Sequence, residues 1–86
     1  MKGISKKDRE FVEKTILHAC RREARTVAVI HGYVLSRAPT LKPFHIDTCQ
    51  RFVRRLKDEG KLERHGREIF TGGGWAPKYR AVQEES

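Results

Sequence analysis

An α+β fold in which three helices precede a β-hairpin follows from three features of the chain. Apolar residues recur at helical spacing in three successive stretches before Gly60. Beyond Gly60 that period gives way to short β-prone runs punctuated by glycine. Finally, 86 residues supply one hydrophobic core, because chains divide into several only beyond about 250 residues. A single domain is expected over residues 1–86, its core at 5–82 and a short acidic tail at 83–86.

The first helix is expected to begin at Ser5, where Asp8 three residues on completes a capping box. Val12, Ile16, Ala19 and Cys20 form its apolar stripe, which extends toward Glu23 and Ala24, and Phe11 and Leu17 widen it at the edges. Thr26 caps a second helix on which Val27, Ile30 and Val34 repeat, with Tyr33 at the flank. The β-branched content leaves a short strand from Thr26 to Ile30 as the alternative. Pro39 and Pro43 bracket the next turn, since each restrains its predecessor from helical geometry. The third helix is the clearest element. Cys49, Phe52, Val53 and Leu56 share one face, Asp47, Gln50, Arg51, Arg54 and Asp58 the opposite one, and Gly60 is placed as a left-handed terminator. Its start is open, with Pro43 suited to a first helical position and Asp47 to the cap of a later start. Residues 62–65 and 68–71 read as extended chain around a turn at Gly66 and Arg67. Residues 72–74 open a flexible loop carrying Trp75 and Pro77, and residues 78–82 form the last strand.

Nineteen Lys and Arg against eleven Asp and Glu give a net charge of +8 and a pI near 10.0, which points to a polyanionic partner. No apolar run approaches the roughly 20 residues of a membrane span. Met1, Lys2 and Gly3 lead into charge rather than a secretory core. The expectation is a soluble cytoplasmic protein. Cys20 and Cys49 are too few and too distant for a disulfide framework, and read as reduced core residues packed near one another. His45 and Cys49 share a helix face at i, i+4. No second pair at ligand spacing exists among His18, His31, His65 and Cys20, so no metal is expected. The glycines of 72–74 lack the following helix of a phosphate-binding loop, and no nucleophile motif or carboxylate pair is present. Neither catalysis nor a cofactor is expected.

A helix that exposes a Gln and two Arg above an apolar seam suits the major groove, where Gln pairs with adenine and Arg with guanine. The segment from Thr48 to Arg64, TCQRFVRRLKDEGKLER, resembles the recognition helix and first wing strand of winged helix-turn-helix domains. Trp75-Ala76-Pro77-Lys78-Tyr79-Arg80 is similar to the family's return strand. The resemblance departs from the common tight turn over 39–46, which is longer and richer in proline. It implies a winged helix-turn-helix fold and a minimal module that binds double-stranded DNA as a transcriptional regulator. The candidate contacts are His45, Asp47, Thr48, Gln50, Arg51, Arg54 and Arg55 on the recognition helix, with Arg64, Arg67, Trp75, Lys78 and Arg80 on the wing and DNA backbone. Within that set Asp47 reads as a cap or an orienting partner of Arg51. Trp75 either packs on the hairpin or enters a groove, with packing favoured, and Lys78 and Arg80 are the better phosphate ligands.

Two other classes remain beside this one. One is a non-specific or structural nucleic-acid module; the other is an adaptor that uses the fold to bind protein. Phe11, Leu17, Val29 and Leu35 lie off the main stripes, where they line a homodimer patch or thicken the core. The charge is uneven: residues 1–43 hold ten basic and four acidic groups, residues 44–86 nine and seven. General attraction to phosphate is therefore expected from the first half and base readout from the second.

Overall fold

In the computed structural model, which describes residues 5–38 and 44–82, the chain runs α1 (Lys6–Ala19), β1 (Arg25–Thr26), α2 (Val27–Arg37), α3 (Ile46–Asp58), β2 (Leu62–Ile69) and β3 (Trp75–Ala81). The strands form one antiparallel sheet in the order β1-β3-β2. Helices, sheet order and hairpin have the topology of a winged helix. The proline turn at 39–43 and the acidic tail at 83–86 lie outside the described residues.

Local chemistry accounts for the boundaries. The Ser5 hydroxyl accepts from the Asp8 amide at 3.1 Å and starts α1. The helix stops at Ala19, short of the stripe expected to reach Ala24, because its last carbonyls are taken from outside. Arg25 Nε donates to the Ala19 oxygen at 2.6 Å, and the Ala81 amide of β3 donates to the Cys20 oxygen at 3.0 Å. At Thr26 the strand and helix readings are both realised in part. Thr26 pairs with Lys78 in β1, and its hydroxyl accepts from the Val29 amide to cap α2.

The third helix starts at Ile46, with His45 in the capping position and Asp47 inside the first turn. Neither Pro43 nor Asp47 marks the boundary. Asp47 instead places a carboxylate at the positive end of the helix dipole. At the other end, Gly60 has φ +80°. Its amide donates to Lys57 O at 3.0 Å and the Lys61 amide to Leu56 O at 2.9 Å. These are the two bonds of a Schellman motif, which requires a left-handed residue between helix and strand.

All three helices and the base of the hairpin meet in one core. Val12, Ile16 and Cys20 come from α1, Ile30 and Val34 from α2, and Cys49, Phe52, Val53 and Leu56 from α3, with Leu62 and Ala81 closing it. Phe44 ties α3 to α2. Its ring is buried, stacks on His31 with centroids 5.5 Å apart and lies 6.2 Å from the Phe52 ring. Its carbonyl oxygen accepts from His31 Nε2 at 2.8 Å, and because a carbonyl only accepts, Nε2 carries the proton. Cys20 and Cys49 are buried and unlinked. Burial pushes the Cys49 thiol up to about 12, with Cys20 adding to the rise, and pushes the Cys20 thiol up to about 11 against the pull of Arg25.

The hairpin departs from its expected segmentation. β2 runs unbroken through Gly66, which forms a bulge rather than a turn, and β3 begins at Trp75 rather than Lys78. Pro77 sits within β3 because β1 covers only Lys78 and Tyr79, so one edge of β3 is unpaired where the proline lacks its amide hydrogen. The closing loop spans residues 70–74, with Gly73 at φ +102° and the Phe70 amide donating to Gly74 O at 2.8 Å.

Two outcomes follow. Replacing Gly60 by Ala, whose Cβ meets nothing within 4 Å, is expected to lower unfolding free energy in a denaturant titration by about 1–2 kcal/mol from the left-handed backbone alone. The native chain at pH 8 should resist a thiol reagent that modifies both cysteines once denatured. The raised thiol values stabilise the fold fully below about pH 9, and this contribution is lost as pH rises through 11 to 12.

Candidate nucleic-acid interface

The outward face of α3 follows from its buried one. With Cys49, Phe52, Val53 and Leu56 in the core, the positions i, i+4, i+7 and i+11 from Asp47, namely Asp47, Arg51, Arg54 and Asp58, form the opposite stripe and are exposed. Gln50 is exposed beside Arg54, whereas Thr48 is half-buried. The guanidinium groups of Arg51 and Arg54 make no ion pair or hydrogen bond among the described residues. Asp47, one turn before Arg51, does not pair with it, so its expected orienting role is not realised. Arg55 belongs to the flank facing α1, where its guanidinium lies 3.8 Å from the Glu13 carboxylate. A half-exposed pair of this length contributes little to stability, yet it turns Arg55 away from the outward stripe. His45 is exposed at the helix entrance.

Parity sorts the hairpin's charges. Leu62 pairs with Ala81 and Arg64 with Tyr79, then Arg67 with Pro77 and Ile69 with Trp75. Side chains of a strand alternate between faces, so Arg64 and Arg67, three apart, would point in opposite directions in a regular ladder. The extra residue at the bulge restores them to one side, and Gly66 supplies the left-handed backbone, φ +81°, that such a bulge needs. The Trp75 ring, half exposed at 50%, packs back between them. The Arg64 and Arg67 guanidinium carbons lie 5.2 and 5.7 Å from its centroid, within cation–π range. This face continues the core-facing side of the sheet outward past Leu62, Tyr79 and Ala81.

Lys78 and Arg80 do not join that face. They alternate onto the outer side of the sheet and line a cavity shared with the turn after α1 and the start of α2. The expected wing set is thus divided, with Arg64, Arg67 and Trp75 on one side and Lys78 and Arg80 on the other. The candidate dimer positions fall on several surfaces, with Leu35 exposed on α2. Phe11 shares a groove with Tyr33, Val29 lines the outer cavity, and Leu17 packs against the core.

Neither a known protein family nor a curated protein matches this chain. Among the described residues, no three His, Cys, Asp or Glu side chains gather in a group able to hold a metal ion. No helix there is long and apolar enough to cross a membrane.

Sequence reasoning missed the Phe44–His31 clamp that fixes the start of α3, and the shared face of Arg64 and Arg67. The second was signalled by an isolated glycine inside a strand pattern. Trp75 is the sole tryptophan and reports on it directly. Gly66→Val favours a regular ladder, which turns Arg67 to the outer face; its emission is expected to shift to the red as it does in Arg67→Ala. Deleting Gly66 removes the bulge yet leaves Arg64 and Arg67 on one face, so the native emission should persist.

Proposed function

We propose that this chain binds double-stranded DNA sequence-specifically as a small transcriptional regulator of the winged helix-turn-helix kind. In this reading α3 lies in the major groove and the hairpin lies against the backbone. The observation that carries the reading is the outward stripe of α3, where Arg51 and Arg54 stand exposed beside Gln50, without intramolecular partners among the described residues, above a fully buried seam. Guanidinium groups held this way are available for the O6 and N7 acceptors of guanine, and the Gln50 amide for adenine. Arg64 and Arg67, ordered over Trp75, supply backbone contacts at low entropic cost, since their side chains are held before the DNA arrives.

The positive excess of residues 1–43 supports the same reading through long-range attraction, which raises encounter rates without specifying sequence. Asp47 and Asp58 on the stripe favour a restricted register, because a carboxylate tolerates a cytosine amine and repels a phosphate. Arg55, paired with Glu13, is left outside the proposed reading set.

Selection of bound sequences from a random duplex pool at two salt concentrations tests this directly. A defined site should be enriched. Arg51→Ala should then weaken binding to that site by about 1–3 kcal/mol and relax the preference at one base pair. Arg67→Ala should weaken binding to all sequences alike and make the log–log salt dependence shallower by about one unit. An unchanged ratio of best-site to random binding in Arg51→Ala removes that residue from direct readout. A steep salt dependence without an enriched sequence replaces the proposal with a non-specific nucleic-acid module.

A further inference from the structure

The outer face of the hairpin carries a second concentration of charge. Lys78 and Arg80 of β3 face the turn after α1 across a cavity of about 400 Å³, where Arg22 and Arg25 join them against the carboxylates of Glu23 and Glu68. Glu23 is occupied by Arg25, 3.4 Å away. Arg22, Lys78 and Arg80 have no ion pair among the described residues. The Nε of Arg80 is buried and donates to no protein acceptor, so a water, an ion or a ligand must complete its hydrogen bonding. The first turn of α2, capped at Thr26, borders the same cavity and adds the positive end of its dipole.

We propose that this cavity is an anion site for a phosphate ester. Its unpaired cations, Arg22, Lys78 and Arg80, converge from two separate elements, the turn after α1 and β3, so the arrangement is a concave cluster rather than the solvated face of one helix. The chemical class follows from charge and size together. Guanidinium and ammonium groups in excess over the facing Glu68 and the cross-strand Glu63 select phosphate, and a cavity in the range of small-molecule sites, roughly 300–1,000 Å³, holds more than the phosphate group alone. The occupant is therefore a nucleotide or a stretch of sugar-phosphate backbone. The site shares no residue with the outward stripe of α3 or with Arg64, Arg67 and Trp75, and does not rest on the duplex reading.

Amide shifts of the full chain titrated with adenosine monophosphate, and separately with inorganic phosphate, test it. Adenosine monophosphate should saturate shifts confined to residues 22–29, 65–68 and 78–80, and bind more tightly than inorganic phosphate. Lys78→Gln with Arg80→Gln should weaken it at least about tenfold, as loss of charge-assisted bonds does, while retained amide dispersion shows that the fold is intact. Glu68→Gln should tighten it severalfold by removing a facing carboxylate. Shifts that do not saturate, shifts centred on Arg51 and Arg54, or unchanged affinity in the double variant overturn the proposal. A duplex arm in an Arg51→Ala, Arg54→Ala background separates the sources. Residual duplex binding that needs Lys78 and Arg80 assigns the site to a DNA backbone, and its absence with nucleotide binding intact assigns it to a free nucleotide. Because nucleotide binding is read without DNA, its failure leaves the duplex reading standing, and the reverse also holds.

Discussion

Side-chain parity along β2 governs what the hairpin presents. A strand turns alternate residues to opposite faces, and three positions separate Arg64 from Arg67, so the pair depends on a single additional residue in the count. Gly66 provides it at φ +81°, a conformation that costs an L-residue about 1–2 kcal/mol and glycine almost nothing. At the native chain length, the stack of both Arg64 and Arg67 over Trp75 rests on that bulge, while regular alternation along β3 sends Lys78 and Arg80 to the other side. Charge content sets the net charge of the hairpin; the bulge sets which face of β2 carries Arg67.

A comparable role falls to Phe44 on the helical side. The segment joining α2 to α3 carries no regular structure where it is described, and the entrance to α3 has no side-chain cap. Orientation is recovered through packing instead: Phe44 fills the gap between His31 and Phe52, while its carbonyl accepts a hydrogen bond from His31 Nε2. Removing such a ring costs about 3–5 kcal/mol, a large share of the stability of a small domain. Here that share also aims the outward stripe of α3.

Much of the fold was legible in the sequence because its signals are local and periodic. The seams of α1 and α3, the caps at Ser5 and Thr26 and the terminator at Gly60 each announce themselves within a few residues. What escaped depended on distant partners. The end of α1 is set by Arg25 and by Ala81 of β3, which helical periodicity does not register. The early start of β3 with Pro77 inside it depends on how short β1 is. Among the candidate contacts, Arg51 and Arg54 are exposed as their spacing implies. Arg55 is diverted by Glu13, a residue more than forty positions earlier, and the division of Lys78 and Arg80 from Arg64 and Arg67 follows from sheet register rather than composition.

Past Leu62, Tyr79 and Ala81 the hairpin contributes no buried side chain to the core. Its tip, with Ile69, Phe70 and Trp75 exposed, lies outside the buried core of the helical body that carries it. Substitutions there change the exposed surface without touching a buried side chain, the reverse of substitutions in the α3 seam. The hairpin is consequently the exchangeable part of the molecule. A lineage or a designer can rewrite its loop and its charges, provided the side-chain parity set at the bulge is kept, and obtain a new surface on an unchanged scaffold.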